Sequence, residues 1–143
     1  MTVTPYLSFN GNCEEAFNFY AKVLNAKIIM MGRYKEMPPQ PGQPALPKEA
    51  EEKIMHARLQ IGNQWLMASD CPPHMPFPGM HGVSIALGFD EAAEADRVFA
   101  ALSEGGSVHM PIAETFWAER FGMFTDRFGI RWMVNGAEKR PNP

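Results

Sequence analysis

Hydrophobic and polar residues alternate most regularly between Lys53 and Ile61. Met55, Ala57, Leu59 and Ile61 fall on one side, and His56, Arg58 and Gln60 on the other. A period of two is the mark of a strand with one face buried. Gly62-Asn63 then reads as a hairpin turn leading into a strand over Trp65–Asp70. Upstream, Thr4–Phe9 reads as a short strand, and Asn10 or Asn12 as the cap of a helix. Ala16, Phe17, Phe19, Tyr20, Val23 and Leu24 recur at helical spacing, Asn25 stops the helix, and Lys27–Tyr34 forms the next strand. The same order returns downstream. Val83–Phe89 is a strand, Asp90 caps a helix running to about Glu104, and Gly105-Gly106 closes it. Strands follow at Ser107–Ala113, near Gly122–Asp126 and near Ile130–Val134, and the KRPNP tail reads as frayed.

The order recurs because the sequence does. At one offset Phe9 matches Phe89, Asn10 matches Asp90, Glu14 matches Glu94, Phe19 matches Phe99 and Ile28 matches Val108. At a shorter offset Gly62-Asn63-Gln64-Trp65-Leu66-Met67 matches Gly129-Ile130-Arg131-Trp132-Met133-Val134. The first copy therefore carries an insertion, the stretch from Met37 to Pro47, which reads as a lid, a dimer arm or a disordered loop. A period of about 70–80 residues is too long for a solenoid and marks a duplicated half-domain. The expected fold is α+β, a single domain over 1–143 built from two tandem βαβββ modules, 1–71 and 82–136.

Three segments, TPYLSFNGNCEEAFNFY, IMHARLQIGNQWLMASD and FGMFTDRFGIRWMVN, resemble the vicinal-oxygen-chelate superfamily, whose members include glyoxalase I, extradiol dioxygenases and fosfomycin and bleomycin resistance proteins. The resemblance is closest to its PhnB-like branch. It implies a glyoxalase-like fold whose curved sheets form a cleft, and chains that form a homodimer. Metal-dependent relatives place ligands at the start of each module's first strand and in its last strand. Here those places fall at Thr4, Ser84, Leu66 and Met133, and a slip of one brings in Pro5, Ile85, Met67 or Val134. None is a His or a carboxylate, so no metal is expected at the usual place. Some relatives carry a demethylubiquinone methyltransferase label. The chain shows no glycine-rich turn after a parallel strand of the kind that holds a nucleotide-type cofactor, and no cofactor is expected.

Alternation assigns the cleft face. Leu7, Phe9, Ile85 and Leu87 are expected to face the helices. Thr4, Tyr6 and Ser8 are expected to face the cleft, with Ser84, Ala86 and Gly88 from the second copy. His56, Arg58 and Gln60 are expected on the same side as Gln64 and Leu66, with Met123, Arg131 and Met133 as the repeat-related set. A partly apolar hollow with a few polar groups is how small-ligand sites are built. Within it His56 suits acid–base chemistry or hydrogen bonding. Arg58 and Arg131 suit an acidic ligand, and Tyr6 offers a hydroxyl. For His56, Arg58 and Arg131 the competing reading, and the favoured one, is a polar residue on a half-solvated sheet; for Tyr6 it is simple packing. Trp117 and Phe116, in a loop, offer stacking surface or core cover. His74 and His81 lack metal spacing, and His109 reads as structural. Asp70 reads as a cap or strand end, and Asp126-Arg127 as turn chemistry. Cys13, in the first turn of a helix, is expected to feel a dipole that lowers its pKa. The eleven methionines are expected mainly in the core, as gap-fillers.

Composition narrows the function further. Of 143 residues 45% are hydrophobic and 20% charged, with a net charge of −3. No Lys/Arg run is present, so nucleic acid is not an expected partner. No apolar run approaches the roughly 20 residues of a membrane span, and the N-terminus lacks a signal peptide, which makes the cytoplasm the expected compartment. Cys13 and Cys71 are expected as reduced thiols. No phosphate loop, nucleophile elbow or CxxC motif occurs. The leading expectation is a metal-independent small-molecule-binding protein whose partner is an unknown organic molecule. One alternative is a divalent-metal-dependent lyase, isomerase or dioxygenase with a displaced site at His56 and His109. Another is a structural domain whose cleft is filled by its own side chains.

Overall fold

The structure is a computed structural model that describes residues 1–139. The tail beyond Lys139 lies outside the described residues. The chain divides into two compact units, Met1–Gly79 and the part from Met80 onward. The first runs β1 (Tyr6–Phe9), α1 (Cys13–Val23), β2 (Lys27–Arg33), β3 (Ile54–Ile61) and β4 (Gln64–Asp70). The second runs β5 (Ile85–Phe89), α2 (Ala92–Ser103), β6 (Ser107–Ala113), β7 (Ala118–Thr125) and β8 (Arg131–Glu138). The sheets have the strand orders β1-β4-β3-β2 and β5-β8-β7-β6. In each, the first strand lies parallel to the last and the remaining pairs are antiparallel. Two tandem βαβββ modules, α+β, are thus what the chain forms.

In the first unit Leu7 and Phe9 of β1 are buried while Tyr6 and Ser8 are exposed, as alternation requires. Phe9 meets Phe17 and Tyr20 of α1 at ring separations of 6.1 and 6.5 Å. With Ala16 and Val23 these form the helix's buried stripe. Each fully buried aromatic or aliphatic side chain contributes about 1.5–3 kcal/mol. In the second unit Ala95, Val98, Phe99 and Leu102 do the same work. Here α2 lies so close to the sheet that a Cβ on Gly136 would overlap the Cβ of Ala95, and one on Gly122 would sit 2.5 Å from the Phe99 ring. Glycine is required at both points of close approach.

Several local expectations are corrected. Asn12 occupies the N-cap position of α1, yet its side chain makes no capping bond and its Oδ1 is buried without a partner. The Asp70 carboxylate, arriving from β4, accepts the Cys13 N–H instead, at 3.0 Å. The cap position of α2 is Glu91 rather than Asp90, and it too makes no side-chain capping bond. At the start of β3 the register against β2 shifts, so Ile54 and Ala57 are both buried and Met55 is displaced from the core face. The last two strands are longer than the sequence suggests because β7 begins at Ala118 and β8 extends to Glu138.

The largest correction concerns parity. In the first hairpin Ile61 pairs with Gln64, leaving a two-residue turn with Gly62 at φ +62°. In the second, Thr125 pairs with Arg131, leaving a five-residue loop from Asp126 to Ile130. Leu7 pairs with Ala68, and its repeat mate Leu87 pairs with Val134. Leu66 is therefore equivalent to Trp132, and Met67 to Met133, one residue away from the sequence match. Because strand side chains alternate, a slip of one moves every residue to the other face. Leu66 pairs with Leu59 and is buried. It belongs to the core, not to the face of His56 and Arg58.

Candidate functional site

Each sheet has one face against its helix and one turned away from it. On the outward face of the first unit the register sets Tyr6 beside Met67, Met67 beside Arg58 and Arg58 beside Met30, a row crossing all four strands. Gln60 faces Trp65, and Ser8 faces Ser69, on the same side. Thr4 lies just before β1 and is half-buried. The Tyr6 hydroxyl is 3.0 Å from His56 Nδ1, and the two rings lie nearly parallel with centroids 5.7 Å apart. The Arg58 guanidinium stacks over the Trp65 ring, 4.6 Å from its centroid. Its Nε is buried without a hydrogen-bond partner among the described residues.

The outward face of the second unit carries Ala86 and Gly88 of β5, Arg131, Met133 and Asn135 of β8, Met123 and Thr125 of β7, and Met110 of β6. Ser84 precedes β5 and is half-buried. His109 Nε2 is 2.7 Å from Thr125 Oγ1, so this histidine is hydrogen-bonded, though exposed. Trp117 packs edge-on against Phe121 at 5.1 Å, and Phe116 against Trp117 at 4.8 Å. Thr115 Oγ1 holds this loop by accepting the Trp117 and Ala118 N–H groups at 3.3 and 3.1 Å. The structure thus places Tyr6, Ser8, His56 and Arg58 on one face, and Arg131 and Met133 on the other unit's corresponding face. Met30, Met67, Trp65 and Thr125 complete these faces. They escape sequence reasoning because parity on β4, and the bulge on β2, depend on turn and bulge lengths.

The methionines reverse the expectation of a Met-rich core. None of the eleven is buried. Met30 and Met67 lie on the first outward face and Met110, Met123 and Met133 on the second. Leu, Phe, Val, Ile, Ala, two Tyr rings and one Trp ring fill the core instead, because their defined rotamers pack an alternating interior better than a flexible thioether does.

Cys13 is likewise corrected. It is fully buried, and burial first, then the Asp70 and Glu14 charges, pushes its thiol pKa up rather than down. Thiolate is the reactive form. Native protein treated with a maleimide is therefore expected to label at Cys71, which is half-buried, and to label at Cys13 only on unfolding. Peptide mass mapping reads this directly, and faster labelling at Cys13 would contradict the assignment.

A separate groove of about 720 Å³ lies in the first unit between the proline-rich loop and the segment after β4. Met37, Pro44, Leu46, Pro72 and His74 are among its walls. Six of its lining residues are prolines, and Lys35, Gln40, Gln43 and Glu51 line it as well.

The donor set on the outward faces does not fit a divalent metal. Each face has one histidine, bonded to a hydroxyl, and the remaining groups are thioether, amide, guanidinium and hydroxyl. Among the described residues no group of three His, Cys, Asp or Glu side chains is placed to hold an ion. No helix among them is long and apolar enough to cross a membrane.

Paired βαβββ modules with mixed four-stranded sheets define a glyoxalase-like protein of the vicinal-oxygen-chelate superfamily. The fosfomycin resistance protein FosX from Listeria monocytogenes, 13% identical with a TM-score of 0.63, shares this fold over 97% of the chain and 93% of its own. Within the superfamily the chain belongs to the PhnB-like family described as 3-demethylubiquinone-9 3-methyltransferase, which matches residues 1–135. It is 33% identical to protein YjdN of Escherichia coli K12 over 99% of both chains. Protein PA1353 from Pseudomonas aeruginosa is 51% identical, with a TM-score of 0.86 over 95% of this chain and 97% of that one. A PhnB protein from Bacillus cereus, described as a 3-demethylubiquinone-9 3-methyltransferase, is 28% identical with a TM-score of 0.78 over 96% of this chain and 100% of that one. The residues present do not fit the nucleotide-type cofactor that such a description implies. The parallel strand β1 leads into Asn10-Gly11-Asn12 and β5 into Asp90-Glu91, neither of them a glycine-rich phosphate cradle.

Proposed function

We propose that the protein binds a small organic molecule on the outward sheet face of its first module, without a resident metal, and acts as a homodimer. The observation that carries this is the placement of the methionines. Thioethers withheld from the core and set on a sheet face form an adaptable apolar surface. On that face they surround a few directional groups, Tyr6, His56 and Arg58. Apolar lining with sparse polar anchors is the composition of a small-ligand site. Thr4 and Ser8 border the same face. Ser84, Arg131, Met133 and Trp117 are the corresponding candidates in the second module.

Methionine methyl groups provide the test. In protein labelled at the methionine methyls, a screen of small aromatic acids, alcohols and amines is expected to shift the Met30 and Met67 signals. Shifts confined to Met37 would move the site to the proline-rich groove and overturn the assignment. Calorimetric titration with Zn²⁺, Ni²⁺, Mn²⁺ and Fe²⁺ is expected to give no stoichiometric binding. Stoichiometric binding abolished by His56→Ala would replace this reading with a metal-dependent enzyme. Sedimentation of the same sample reads the dimer.

A further inference from the structure

We propose that the ligand of the first module is an organic anion, a carboxylate or phosphonate on an apolar body, and that Arg58 is its anchor. This rests on the outward face being the ligand surface, and it adds the ligand's charge.

Three of the other guanidinium groups are paired with carboxylates, whereas Arg131, on the outward face of the second unit, has no ion pair among the described residues. Arg33 pairs with Glu14 at 2.6 Å, Arg97 with Glu94 at 2.5 Å and Arg120 with Asp96 at 3.0 Å. Arg58 has no carboxylate partner among the described residues, although it is half-buried. A buried N–H of a charged group costs free energy when no acceptor meets it, and the Arg58 Nε is in that position. Its row neighbours are Met67 and Met30, which accept weakly at best. Tyr6, Ser8, Gln60, Ser69 and His56 complete the face, and none carries a negative charge. Among the described residues the sheet therefore presents a cation with no carboxylate partner.

The cation is also held in place. Stacking on Trp65 fixes the guanidinium plane, so a planar or tetrahedral oxyanion meets a fork that has already lost much of its rotamer freedom. Tyr6, two strands across, and His56, two residues along Arg58's own strand, form a pair that supplies further hydrogen-bonding capacity. Between Tyr6 and Arg58 lies the Met67 thioether. Charge at one end and apolar surface beside it select an anion with a hydrophobic body over inorganic phosphate, which cannot use the methionines.

Isotope-edited NMR titrations of the full chain with phenylphosphonate, benzoate, benzyl alcohol, benzylamine and inorganic phosphate test this. Phenylphosphonate or benzoate is expected to shift Met30 and Met67 and to bind more tightly than the alcohol, the amine and phosphate. Arg58→Met is expected to weaken anion binding about ten- to a hundredfold, the weight of a charge-assisted bond. Arg58→Lys, which keeps the charge but not the fork, should fall in between. Arg97→Gln, an equal charge change on α2 of the second unit, where the guanidinium is paired with Glu94, should leave binding as it is. Which anion binds more tightly distinguishes carboxylate from phosphonate. Equal binding of benzyl alcohol, unaffected by Arg58→Met and Arg58→Lys, would overturn the anion while leaving the ligand face standing. No response of Met30 or Met67 to any probe at millimolar concentration would overturn both.

Discussion

Replacing Asp70 by alanine is expected to lower the melting temperature by about 10–15 °C, equivalent to about 3–5 kcal/mol. The side chain is only 2% exposed, yet it serves two segments far apart in sequence. Oδ1 accepts the Cys13 N–H at 3.0 Å, and Oδ2 accepts the Ile54 N–H at 2.8 Å. The first bond satisfies an otherwise orphaned amide at the start of α1. The second fixes the entry of β3 beside the bulge. The backbone carbonyl of the same residue accepts the Tyr34 hydroxyl at 2.7 Å. Burial and the nearby Asp70 charge raise the Tyr34 pKa to about 12, which keeps that hydroxyl a donor. Alanine leaves two amides buried without acceptors, each costing about 1–3 kcal/mol, and removes a helix cap. Asparagine keeps one acceptor but turns an amide donor toward the other N–H, so a smaller loss is expected. Thermal unfolding followed by circular dichroism reads both variants. A shift under about 3 °C for Asp70→Ala, near 1 kcal/mol, would show that water replaces the carboxylate freely.

The second large effect is expected at Asp126, by about 3–6 kcal/mol on substitution with alanine. This carboxylate, 3% exposed, organises the longer hairpin of the second module. It accepts the Phe128 and Ile130 N–H groups at 2.9 and 3.0 Å and the Trp132 Nε1–H at 2.8 Å. The loop is closed further by Asp126 N–H to the Ile130 carbonyl at 2.8 Å. Trp132 is the largest fully buried side chain, and Asp126 is what makes burying an indole N–H tolerable. Trp132→Phe removes that donor together with part of the ring volume, keeps the loop amides bonded and should cost about 1–3 kcal/mol, which a denaturant titration separates from Asp126→Ala. Equal losses from both variants would mean that the loop amides contribute nothing and that indole packing alone sets the effect.

The two aspartates show how differently legible the halves of one repeat are. Asp126 is readable as turn chemistry because its amide partners lie two and four residues away. Asp70 is readable only as some kind of strand end. Its partners are Cys13 and Ile54; the parallel pairing of β1 with β4 brings the first to it, and the antiparallel pairing of β3 with β4 the second. The candidate ligand face divides in the same way. Alternation in Tyr6-Leu7-Ser8-Phe9 and in His56-Ala57-Arg58-Leu59 assigns those residues to their faces without coordinates. Leu66 is misassigned because faces on β4 follow from the number of residues in the turn, and the repeat's two turns differ in length.

By itself, then, the sequence determined the elements, their duplication and the α+β class, because helical and strand periods are local and the two copies reinforce each other. It also supplied His56, Arg58 and Tyr6 as candidate chemistry. Only the tertiary structure decided that methionines line the sheet faces, that Cys13 is sealed in the core, and that Arg58 has no carboxylate partner among the described residues. Those are properties of neighbours across strands. They depend on register, on bulges such as that before Ala57, and on which distant carboxylate reaches which amide.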